Sequence, residues 1–298
     1  MNAPTKLLGL VLMLSAAGFS AAAGVGRAVG PVSAATEIAH TPDAAGHADS
    51  ATMAGTSHGA AATPGLASAS AGYTLQPATS RLSTGMYVFS FRIAGPDGTP
   101  LTRYAAQHDR ELHFIVVRRD LFGYQHLHPT LAADGTWTVP LTLPAPGVYK
   151  AFADFQPAGA ASPSTLAVDL FVPGNFQPEP LPQPAPSANV DGYTVALTGT
   201  LQAGRESELT FTVAKEGRPV TNLQPYLGAY GHLVALRVGD LAYVHVHPEG
   251  APGDGHTTSG PQVSFHAELP TAGAYRLFLD FQVDGVVHTA AFSATAGE

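Results

Sequence analysis

The chain has 298 residues, no cysteine, a net charge of −8 and only 12% charged residues, against about 25% in an average globular protein. These figures exclude disulfides and thiolate-ligated metal centres, blue copper among them. They also exclude a basic surface able to displace counterions from nucleic acid or an anionic membrane. Hydrophobic residues at 45% permit a proper core, while 32 Gly and 25 Pro favour turns and short strands over long helices.

Residues 1–23 read as a secretory signal. Lys6 supplies the positive start, Leu7–Leu14 the short apolar centre, and Ala21, Ala22 and Ala23 the small residues of a cleavage site. The apolar run is too short to span a bilayer, so no membrane span is expected in the mature chain and its location should be secreted or periplasmic. Residues 24–72 are rich in Ala, Gly, Ser and Thr without apolar periodicity, the composition of a disordered linker. His40, His47 and His58 punctuate it, either as a weak metal-scavenging tail or as bystanders in a spacer.

From residue 73 the pattern turns to strands. Tyr87, Phe89, Phe91 and Ile93 alternate with Val88, Ser90, Arg92 and Ala94, and Leu209, Phe211 and Val213 with Glu208, Thr210 and Thr212. Trp137, Val139, Leu141 and Leu143 continue the first set; Val263, Phe265, Ala267 and Leu269 continue the second. Residues 174–187 form a proline-rich linker between domains at 73–173 and 188–298. The halves repeat: Gly98, Pro100, Thr102 and Arg118 recur 119 residues later as Gly217, Pro219, Thr221 and Arg237. Further on, Tyr149, Phe152, Asp154 and Phe155 recur as Tyr275, Phe278, Asp280 and Phe281 after a longer loop at 251–260. The fold class expected is all-β, two tandem immunoglobulin-like or cupredoxin-like antiparallel β-sandwiches.

The same 119-residue step relates His113, His126 and His128 to His232, His245 and His247. A tight turn at Gly239-Asp240 pairs His232 with His247 and sets His245 diagonally on the same face; the equivalent turn at Asp120-Leu121 pairs His113 with His128. Directly opposed Cβ atoms lie ~4.5–5.5 Å apart and diagonal ones ~7–8 Å. Three imidazoles so spaced can converge on one ion, so each domain is expected to carry a three-histidine site for Cu(II) or Zn(II) at a sandwich rim. Asp154 and Asp280 are candidate fourth ligands, although the alternation of Tyr275, Leu277, Leu279 and Phe281 turns Asp280 away from its own core. His108, His256, His266 and His288 have no counterpart in the other half; His266, on a polar strand face, and His256, in a loop, read as solvated.

Catalytic signatures are absent: no G-x-S-x-G, P-loop or H-E-x-x-H occurs. The stretch GDLAYVHVH opens like a cupin metal motif but lacks its later acidic residue. The expectation is a non-enzymatic metal-binding protein. The alternative is an interaction module, docking another exported or surface protein, in which the histidines are structural. At RRDLFGYQHLHP, PYLGAYGHLVALRVGDLAYVHVHP and the later F-x-D-F strands, the chain resembles secreted bacterial tandem β-sandwich proteins of largely unassigned function. That resemblance covers about 98–156 and 217–292 and implies export and an association with copper or other heavy metals.

Overall fold

A computed structural model describes residues 63–244 and 246–298. The signal peptide expected at 1–23, most of the linker expected at 24–72, and His40, His47, His58 and His245 lie outside the described residues. Among the described residues no helix is long and apolar enough to cross a membrane.

The first repeat runs β1 (Ala69–Ser70), β2 (Tyr73–Pro77), β3 (Gly85–Ala94), β4 (Tyr104–Ala105), β5 (Leu112–Arg118), β6 (Gln125–Leu127), β7 (Thr130–Leu131), β8 (Thr136–Leu143), β9 (Gly147–Pro157) and β10 (Ser164–Val172). The second runs β11 (Ser187–Val190), β12 (Tyr193–Thr198), β13 (Glu206–Lys215), β14 (Arg218–Pro219), β15 (His232–Arg237), β16 (Tyr243–Val244), β17 (Val246–Pro248), β18 (Gln262–Glu268), β19 (Gly273–Val283) and β20 (Val286–Ala296).

Each repeat is a two-layer sandwich of antiparallel strands. In the first, β1-β2-β3-β8-β7 packs on β10-β9-β5-β6; in the second, β11-β12-β13-β18-β17 packs on β16-β15-β19-β20. Without the short leading strand, both follow the A-B-E-D and C′-C-F-G order of an immunoglobulin-like domain. Both also carry a tyrosine corner: the Tyr149 hydroxyl donates to the Ala145 carbonyl at 2.9 Å, and that of Tyr275 to Thr271 at 2.8 Å. The expected all-β tandem sandwich is what the chain forms, and of the two alternatives it is the immunoglobulin-like one.

The period-two residues fill the two cores. Phe89, Phe91, Trp137, Val139 and Leu141 pack with Phe114, Val116 and Tyr149 in the first repeat; Leu209, Phe211 and Phe265 pack with Leu277, Leu279 and Phe281 in the second. A third cluster joins the repeats: Ile115, Val117, Leu121, Phe152 and Ala167 meet Val234, Leu236, Leu241, Tyr243 and Phe278. The β5-containing and β15-containing sheets therefore stack back to back, each covered on both faces. This is why every residue of β5 is buried.

Two connecting segments are drawn into this seam. Residues 63–72, expected to be disordered, are ordered: Pro64 accepts from the Tyr243 amide at 3.0 Å, Gly65 donates to Thr165 at 3.1 Å, and Ala67 accepts from Ala167 at 2.9 Å. In the proline-rich linker, Leu181 packs on the seam and Glu179 pairs with Arg118 at 2.8 Å. Composition alone does not reveal this order, because it comes from backbone bonds and contacts to a distant surface.

Candidate metal centre

The β5–β6 ladder pairs Phe114 with Leu127 and Ile115 with His126, and the β15–β16 ladder pairs Ala235 with Val244 and Leu236 with Tyr243. Both registers follow from turns with an even number of loop residues, and the first carries His128 to the place opposite His113. His113, His126 and His128 come together: each offers a ring nitrogen within 4.8 Å of the others. Their ring centroids are 5.2, 5.2 and 4.9 Å apart. Imidazoles bound at 2.0–2.1 Å in a tetrahedral shell would place their centroids about 5 Å apart.

Hydrogen bonds at the outer edge of the cluster fix the tautomers. His113 Nε2 lies 3.0 Å from the Gln107 carbonyl, which can only accept, so this nitrogen carries the hydrogen. His126 Nδ1 lies 2.8 Å from Asp280 Oδ2 and donates to the carboxylate. The inner nitrogens, His113 Nδ1 and His126 Nε2, then present lone pairs to each other at 3.0 Å. His128 Nε2 is buried beside them with no hydrogen-bond partner. In the neutral rings these two lone pairs face each other, and a cation between them, within reach of the unpartnered His128 Nε2, would relieve their repulsion. The donor set fits a borderline divalent ion, each far nitrogen of His113 and His126 being tied to an oxygen in the manner of metal-ligating histidines.

Burial keeps His113, His128 and His232 neutral at pH 7, the form a ligand needs. Burial, reinforced by the neighbouring His126, lowers His113 to about 4. Burial, with His126 and His113 nearby, lowers His128 to about 2. His232 falls to about 3, again chiefly through burial.

The second repeat departs from the expected copy. Among the described residues a triad is found in the first repeat; in the second, His232 and His247, expected opposite each other, stand on different sheets, and His245 lies outside the described residues. His232 joins the first repeat's cluster: its centroid lies 6.0 Å from those of both His113 and His126, and its Nε2 donates to Leu227 at 3.0 Å. His247 is exposed on β17, which has crossed to the opposite sheet and pairs it with His266. A sequence difference one strand back accompanies this crossing. Val244 stands where the first repeat has Gln125; Val244 is buried in the second core, whereas Gln125 stays with β6 and bonds the Thr142 backbone.

Nor is the centre at a solvent-facing rim. The face carrying His113 and His126 is the seam between sandwiches, where His113 is 5% exposed. Asp280 does turn away from its own core, as alternation requires, but into that seam at 1% exposure. There it accepts from His126 through one oxygen and from the Thr289 hydroxyl, at 2.6 Å, through the other. Asp154 makes the reverse crossing, accepting from Thr165 at 3.0 Å and bonding the Tyr243 hydroxyl of the second repeat. Both carboxylates are bound to protein groups.

Two neighbours escape the sequence pattern. His108 sits 4.9 Å from His232, centroid to centroid, and Tyr226 packs edge-on against His128 and His232 at 6.1 and 6.2 Å. His108 occupies a tight turn with φ of 49°, matched by Leu227 at 57°, so repeat comparison hides it: the turn recurs while the side chain does not.

No curated protein matches the chain. Among solved structures, InvD of Yersinia pseudotuberculosis shares 15% identity over 76% of this chain with a TM-score of 0.24, and this chain spans 58% of it. A bacterial integrin-binding invasin shares 13% over 76% of this chain and 40% of its own, at 0.22. The fibronectin(III)-like modules of Clostridium thermocellum CbhA share 12% over 75% of this chain and 93% of theirs, at 0.21. Residues 69–170 and 188–298 each match one family, so the chain belongs, as a tandem pair, to the family described as Domain of unknown function (DUF8832).

Proposed function

We propose that this is an exported, non-enzymatic metal-binding protein whose His113, His126 and His128 hold one Cu(II) or Zn(II) ion for buffering, transport or resistance. The observation that carries the reading is the inward convergence of lone pairs on His113 and His126 beside the orphaned His128 Nε2. Imidazole-only donors favour these two ions, while the absence of cysteine disfavours a soft Cu(I) site. The signal-like residues 1–23 support export. Isothermal titration of the purified chain at pH 7.5 with Cu(II) and with Zn(II) tests this: one bound equivalent is expected, and no binding of either ion refutes it.

One observation favours the rival reading, an interaction module with structural histidines. His113, His126 and His232 each already bond a protein oxygen, and the His126–Asp280 pair links the repeats. Under that reading His113, His126 and His128 only cement the seam, and the same titrations would be silent.

A further inference from the structure

We infer that Asp280 of the second repeat is a positioning residue for the metal site of the first, so that affinity for the ion is set by how the two sandwiches dock. This rests on the three-histidine reading above.

All three ligands belong to the first repeat, yet the group that orients His126 does not. The His126 and Asp280 side chains are 4% and 2% exposed and meet at 2.8 Å. Asp280 is held on the central strand of its sheet, with His232 of β15 as its neighbour on one side and Thr289 of β20 on the other. The Thr289 hydroxyl fixes one carboxylate oxygen, so the second is aimed at His126 with little freedom. A carboxylate on the far nitrogen of an imidazole sets its tautomer, orients the ring and makes the donor nitrogen more basic. The ring can use that carboxylate only while the seam is closed. By linkage, whatever factor docking adds to metal affinity, metal adds to docking.

The test uses the full chain and the variants Asp280→Asn and Thr289→Val, titrated with Cu(II) and Zn(II) and followed by Cu(II) paramagnetic resonance. Asp280→Asn should weaken binding about 10–100-fold. The Cu(II) g and hyperfine values should shift while the number of coordinated nitrogens stays the same. Thr289→Val should produce a smaller loss in the same direction. Unchanged affinity in Asp280→Asn overturns the inference. So does loss of an oxygen donor from the metal's shell in that variant, which would make Asp280 a ligand. Should Asp280→Asn fail to fold, Thr289→Val decides, and unchanged affinity there overturns the inference. A wild-type chain that binds neither ion overturns the three-histidine reading itself, a result distinct from metal binding that ignores Asp280.

Discussion

Tyr124 of the first repeat and Phe278 of the second lie face to face, their ring centroids 4.0 Å apart and their planes 6° from parallel. This stack is the aromatic centre of the seam, and the metal-site histidines lie farther along the same sheets. Phe278→Ala should cost about 3–5 kcal/mol, because it opens a cavity between two surfaces too rigid to collapse into it. Urea denaturation should show the loss. A change within 0.5 kcal/mol would show that the seam is not a packed interface.

The two HxH motifs should behave differently. The Nε2 of half-buried His128 is buried without a partner, so His128→Ala should leave the metal-free protein as stable as wild type or slightly more so, while abolishing most metal-induced stabilisation. For a metal at 100 times its dissociation constant, that stabilisation is about 2.7 kcal/mol. His247 is exposed on the opposite sheet, and His247→Ala should change neither quantity. Thermal melts of both variants with and without Zn(II) make the comparison; equal effects would restore the two-site arrangement.

Stability should fall with acidification, starting below about pH 6.5. Unfolded histidines bind protons around that value, whereas the folded His113, His232 and His128 resist protonation until about 4, 3 and 2. Between the two ranges the unfolded state holds more protons, so unfolding becomes easier as pH drops. The urea midpoint of the metal-free protein should therefore be lower at pH 5 than at pH 7.5. A flat profile would mean that these rings are solvated.

Gly65 should not tolerate alanine. It holds φ of 71° in the seam, and a Cβ there would come within 2.8 Å of the Phe152 ring and 2.9 Å of Tyr243. Gly65→Ala is expected to cost about 1–3 kcal/mol from backbone strain, with steric displacement added. Calorimetry gives the shift, and a neutral result would detach residues 63–68 from the folded unit.

Much of the centre was legible in the residue pattern. Spacing of the HxH motifs, turn parity and the 119-residue step together put His113, His126 and His128 on one face. The partner sandwich was not legible in the same way, although β5 carried a hint of it. Leu112, Phe114 and Val116 serve the first core while Ile115 and Val117 serve the seam, and such unbroken apolarity marks a strand covered on both sides. Asp280 shows the consequence: alternation says which way it faces, not whether water or a second domain waits there.

What the amino-acid order settled alone is the all-β class, the duplication and the register of the β5–β6 and β15–β16 hairpins, because each depends on local periodicity and on whether a turn holds an even number of residues. Tertiary structure decided that the outward faces bury each other, that His247 leaves while His232 joins the first cluster, and that Asp280 orients a histidine of the other repeat. Those outcomes depend on contacts between residues more than a hundred positions apart. Burial of one surface by another leaves no period of its own in either strand.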